Sequence, residues 1–117
     1  MLAEILQTVA LLSALSQSPT EAMIEHAARA MDVSPEYAAC IAYHESRFDP
    51  EAIGDQGRAV GLYQWHYESW AHVRRQMGLS TDDRRDDPVE ATVTAMWAWR
   101  NGYRRWWSTA PRCKEAW

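Results

Sequence analysis

The stretch that decides the fold is IAYHESRFDPEAIGDQGRAVGLYQW, running from Ile41 to Trp65. Ile41 to Ser46 continues an apolar helix, and Asp49-Pro50 predicts its end, because a residue before proline avoids the right-handed helical region. Gly54, Gly57 and Gly61 then mark a loop. Gly54 and Gly57 are expected to permit positive φ and Gly61 to permit close backbone approach, with Ile53 and Val60 pinning the loop to the core. Order resumes at Leu62-Tyr63-Gln64-Trp65. One carboxylate, Glu45, thus falls on the last turn of a helix, beside a loop able to return and face it. A partly desolvated carboxyl group keeps its proton long enough to donate it, which is what a general acid must do. A negative charge at that end of a helix is unfavourable by about 0.3–1 kcal/mol, so its presence there is a sign of use.

Glu45-Ser46, Phe48, Asp49-Pro50, Ala52-Ile53-Gly54 and Gly61-Leu62-Tyr63-Gln64, in that order, resemble the lytic transglycosylase SLT domain, a goose-type-lysozyme-like family. The resemblance implies an all-α, single lysozyme-like domain with a catalytic cleft, spanning residues 1–117. It also implies cleavage of the β-1,4 bond between N-acetylmuramic acid and N-acetylglucosamine. In such domains one glutamate acts first as acid and then as base, activating the substrate's own C6 hydroxyl to close a 1,6-anhydro ring. Glu45 takes that role, Ser46 and Gln64 take positioning roles, and Tyr63 lines the cleft. Where the family shows A-Y-N-A-G, this chain has Ala98-Trp99-Arg100-Asn101-Gly102-Tyr103. The asparagine is displaced by one, so Trp99 and Tyr103 are both candidates for the aromatic that meets the acid.

Composition narrows the alternatives. A chain of 117 residues makes one domain with a real core. A net charge of −4 argues against a nucleic-acid partner, which calls for a basic surface. No run reaches the eighteen or so apolar residues of a membrane span. Seven tryptophans stand against one phenylalanine; they either fill the core or line a groove where sugar faces stack. Cys40 and Cys113 are too few for a zinc site or a disulfide framework, and offer either one bridge or two buried thiols. His44-Glu45 opens like a zinc-protease motif, but Phe48 occupies the position of its second histidine, so neither metal nor cofactor is expected.

The remaining chain reads as helices. Leu2, Ile5, Leu6, Val9, Leu12 and Leu15 recur at helical spacing, and Glu4 stands where a signal peptide would carry a basic residue. A helix over residues 1–17 packed on the domain is expected. Without an export signal, a wall-directed chain of this kind suits a phage lysin, a virion or secretion-apparatus component, or the mature part of an exported protein. Ser18-Pro19-Thr20-Glu21, Ser34-Pro35 and Asp87-Pro88-Val89-Glu90 are cap-plus-proline helix starts. A further helix is predicted from His66 to Met77, with Trp70, Val73 and Met77 inward and Gly78 as its stop. Asp82 to Asp87 reads as a solvated, self-compensating loop. Arg104-Arg105-Trp106-Trp107 reads equally as a rim for polymer or as a last packed turn.

Most glycosidases use two carboxylates. The residues alone leave the second group open, with Asp55 on the loop as its best candidate. That keeps a hydrolytic muramidase of phage-lysin type as one alternative, and a non-catalytic wall-binding or virion domain as another.

Overall fold

The computed structural model describes residues 2–5 and 18–117. Residues 2–5 are helical; the rest of the expected N-terminal helix, and its packing, lie outside the described residues. Four longer helices follow: α1 (Pro19–Ala30), α2 (Pro35–Ser46), α3 (Tyr67–Met77) and α4 (Pro88–Arg100). Three begin as their sequences dictate. Ser18, Ser34 and Asp87 each accept a hydrogen bond from a first-turn backbone N–H, and proline takes the first helical position, where its missing N–H costs nothing. The helix α3 starts on His66 without a side-chain cap and ends at Gly78, whose φ is 74°.

Helix α1 packs on α2 and α4, and α3 packs on α4. Ile24, Ala28, Ala38, Ile41, Ala91, Ala95 and Met96 are fully buried between them. Small residues on three facing helices permit this close approach. The remaining space is filled by aromatic rings in edge-to-face contact: Trp99 meets Tyr37, Tyr63 and Trp107 at centroid distances of 5.1, 5.3 and 5.8 Å. Trp65 bridges Trp107 and Trp70 at 5.0 and 5.7 Å. Such geometry sets the positive ring edge on the negative face, worth about 0.5–1.5 kcal/mol per pair beyond burial.

Between α2 and α3 the chain departs from the expected loop. Helix α2 ends at Ser46, three residues before Asp49, because Arg47 and Phe48 both turn left-handed at φ 53° and 64°. The segment then forms a small antiparallel sheet of two-residue strands, β1 (Ile53–Gly54), β2 (Ala59–Val60) and β3 (Trp65–His66), in the order β1-β2-β3. Ile53 pairs with Val60, and Val60 with Trp65. Ile53 does not pin this strap, since it is 69% exposed; Ala59 and Trp65 are the residues turned inward.

Two glycines matter here for space. Gly54 is extended at φ −136°, not left-handed as its sequence context suggested; a Cβ there would lie 2.4 Å from the Gln64 Oε1. At Gly61 a Cβ would lie 1.9 Å from the Arg85 carbonyl oxygen. That contact explains why the Asp82–Asp87 run is more than a solvated loop. The Arg85 side chain, only 11% exposed, donates to the Arg58 and Trp65 carbonyls at 2.9 Å each and to Asp83 at 2.8 Å. Hydrogen bonding from Arg85 lowers the Asp83 pKa below the usual carboxylate value.

The C-terminal tail, in 3₁₀ turns over Arg104–Trp106 and Ala110–Ala116, returns to α2. Cys113 is disulfide-bonded to Cys40 with Cα atoms 5.9 Å apart, and the Ser34 hydroxyl donates to the Ala116 carbonyl.

Candidate active site

Glu45 lies one and a half turns beyond Cys40 on α2 and borders a cavity of ≈490 Å³. One wall is the strap, through Asp55, Ala59, Gln64, Trp65 and His66; the other is the tail, through Trp106, Trp107 and Ser108. Ser69 of α3 closes one end. Among the described residues the Glu45 carboxyl makes no hydrogen bond or ion pair. Burial alone therefore raises its pKa above the ordinary 4.5, because desolvation penalises the charged form and nothing nearby compensates.

Asp55 shares this cavity. Its two carboxylate oxygens are held by different partners, Oδ1 by Arg58 at 3.2 Å and Oδ2 by His66 Nε2 at 3.1 Å. Gln64 sits in the left-handed region at φ 52°. Its side-chain amide donates to the Ala52 and Gly61 carbonyls at 3.2 and 3.0 Å, which ties the two ends of the strap together and leaves Oε1 on the Gly54 side. Of the sequence candidates, the cavity thus brings together Glu45, Asp55 and Gln64.

The other candidates lie elsewhere. Ser46 is buried, and its hydroxyl donates back to the Ala42 carbonyl at 3.0 Å, satisfying a carbonyl at the helix end and not facing the cleft. Tyr63 is fully buried and donates to the Ala38 carbonyl at 3.1 Å. Burial pushes its phenol far upward, so it is a permanent donor within the core and lines nothing. Trp99 is 2% exposed, at the centre of the aromatic cluster. Tyr103 points to α3, donating to Gln76 at 2.9 Å and lying 3.4 Å from His72. The aromatics that border the cleft are Trp65, Trp106 and Trp107. Trp106 is 46% exposed, whereas Trp107 is buried and donates its indole N–H to the Tyr63 carbonyl at 2.9 Å. The Arg104–Trp107 run is therefore both rim and packed turn.

His66, Ser69 and Ser108 escaped the sequence reading, which took His66 only as the start of a helix; a polar residue beside a glycine-rich loop carries no periodic signal. The only metal-capable group among the described residues is Cys40, His44 and Cys113, with ligand atoms within 4.8 Å of one another. The two sulfurs are bonded to each other, so a lone imidazole is left.

A helical domain with a half-buried, unpaired glutamic acid between a short sheet and an aromatic wall belongs to the lysozyme-like class of folds. Residues 22–110 match the family model described as the transglycosylase SLT domain, and the chain belongs to that family, whose members cleave glycosidic bonds in peptidoglycan. Comparison with curated proteins and with solved structures gave no match. No helix among the described residues is long and apolar enough to cross a membrane.

Proposed function

We propose that this protein is a peptidoglycan lytic transglycosylase, acting at the wall, that cuts the MurNAc-β-1,4-GlcNAc bond with Glu45 as its general acid and base. The observation that carries the reading is Glu45 itself, half-buried on the cleft with no hydrogen-bonding or charged partner among the described residues. A carboxyl group that desolvation makes harder to ionise can pass its proton to the bridging oxygen. Once ionised, the same group can accept the proton of the C6 hydroxyl as that oxygen attacks the anomeric carbon and forms the 1,6-anhydro ring. The bond to the leaving N-acetylglucosamine breaks in the first step, and the acid is regenerated in the second. Trp106, with its exposed face on the cleft, suits stacking against a sugar ring.

The test is digestion of purified peptidoglycan by the parent and by Glu45→Gln, with the products weighed. A positioned acid contributes about 10²–10⁴ in rate, so the variant should lose at least a hundredfold while keeping its fold. Equal clearing of a wall suspension by both proteins would reject Glu45.

A second reading, hydrolysis by a water molecule, is favoured by Asp55, which borders the same cavity and is oriented by Arg58 and His66. Product masses separate the two, since anhydro ends are lighter than reducing ends by one water.

A further inference from the structure

The disulfide that ties the tail to α2 has a third neighbour. His44 follows Cys40 by four residues on α2, so the two side chains project from one face of the helix. Cys113 comes to that face from the tail. A ring nitrogen of His44 and the two sulfurs all lie within 4.8 Å of one another. No other trio of metal-capable side chains among the described residues converges in this way. The imidazole is exposed and meets Tyr43 edge-on at 5.4 Å.

Oxidised, these three residues offer one imidazole and no thiolate. Reduction changes the donor set. A dithiol supplies two electrons and two protons, the Cys40–Cys113 bond breaks into two thiols, and the dithiol closes to its own disulfide. A divalent ion then displaces the two thiol protons and is held by two thiolates and one imidazole. Such donors select zinc-class ions over magnesium or calcium, which take oxygen ligands. Zinc holds sulfur at about 2.3 Å and nitrogen at about 2.0–2.1 Å, which sets its ligand atoms about 3.5–3.8 Å apart. Parting the sulfurs by side-chain rotation reaches that spacing with the backbone in place. Cys113 is 2% exposed and His44 faces solvent, so the ion enters from the imidazole side and a water completes the tetrahedron there.

We propose that the reduced protein binds one zinc-class ion through Cys40, His44 and Cys113. The tail, which supplies Trp106, Trp107 and Ser108 to the cleft wall, is then tied to α2 in both redox states. The tie is a covalent bridge where thiols are oxidised and a metal where they are kept reduced. The site is independent of the reaction at Glu45.

The full chain is reduced with a phosphine under argon and titrated with Co²⁺, a coloured stand-in for zinc. One equivalent should bind, with thiolate-to-cobalt charge-transfer absorption and the visible bands of tetrahedral Co²⁺, and added zinc should bleach both. The oxidised protein should show neither. His44→Ala should weaken the Kd of the reduced protein by at least about tenfold, the loss that even an outer partner of a metal ligand causes. His26→Ala, exposed on α1, should leave it unchanged. No charge-transfer absorption in the reduced parent overturns the proposal, as does absorption of equal strength in the oxidised protein or equal affinity of parent and His44→Ala. A second readout separates a folded site from chelation by a loosened chain. Zinc should raise the thermal midpoint of the reduced parent, from whatever level reduction leaves, and should raise that of His44→Ala by less. Metal that binds without raising the midpoint is held as well by the unfolded chain, and that result overturns the proposal.

Discussion

The four helices and the strap between α2 and α3 obey different rules. Three of the helices carry the cap, proline and small-residue chemistry that their conformation asks for. In the strap and its flanks, Arg47, Phe48, Asp55, Gln56 and Gln64 all adopt positive φ without being glycine. Each such residue costs on the order of 1 kcal/mol. Only Asp32 shares this conformation elsewhere among the described residues. Strain is therefore concentrated where Asp55, Gln64 and His66 face Glu45, and the relaxed helices hold it in place. The lesson is that local sequence preference and position of the site run in opposite directions, as expected where surrounding structure over-determines a functional segment.

The disulfide tests the frame that carries the strap. It joins residues 73 apart and encloses the whole cleft, so replacing both cysteines by alanine should lower unfolding stability by about 2–4 kcal/mol in denaturant titration. Gly61→Ala attacks the strap directly. The Arg85 carbonyl it would strike is backbone, and φ there is +89°, so a loss of about 2–4 kcal/mol is expected. Gly54→Ala is milder, since it meets only the movable end of Gln64.

The comparison sharpens with one substitution made in both regions. Gln56→Gly, at φ 58°, should stabilise the protein by about 0.5–1 kcal/mol by relieving a left-handed side chain. Ala22→Gly, exposed within α1, should destabilise by about 1 kcal/mol. If both changes destabilise equally, the strap is not strained.

The smallest effect is on pH. Because burial raises the Glu45 pKa in the folded state, its contribution to stability is fully present below the unfolded value and is lost as pH rises through the folded one. Glu45→Gln removes this titration. The variant should therefore gain on the parent as pH rises above the ordinary carboxylate value, in paired thermal melts. A difference that stays constant with pH would mean that Glu45 is not desolvated.

Much of this molecule was legible in advance, and the failures have a physical pattern. Ser18-Pro19, Ser34-Pro35, Asp87-Pro88 and Gly78 announce themselves because capping is local chemistry. Glu45 could be placed beside a cleft because Asp49-Pro50 marks the end of its helix and a glycine-bearing segment follows. Tyr63, Trp99 and Tyr103 were assigned to the cleft by likeness of motif, yet an aromatic that lines a groove and one that fills a core are the same residue type at the same spacing. Only long-range packing separates them. Arg85 misled for a similar reason. In a run of alternating charges nothing local distinguishes an arginine that tethers two carbonyls from one that is merely solvated.

Tyr63 is the residue whose position reaches furthest. Its hydroxyl is anchored to the Ala38 carbonyl of α2, and its own carbonyl holds the Trp107 indole of the tail. The two banks of the trench are thereby fastened to one phenol and the peptide behind it. The gauge of the trench is thus tied to one buried residue of the core.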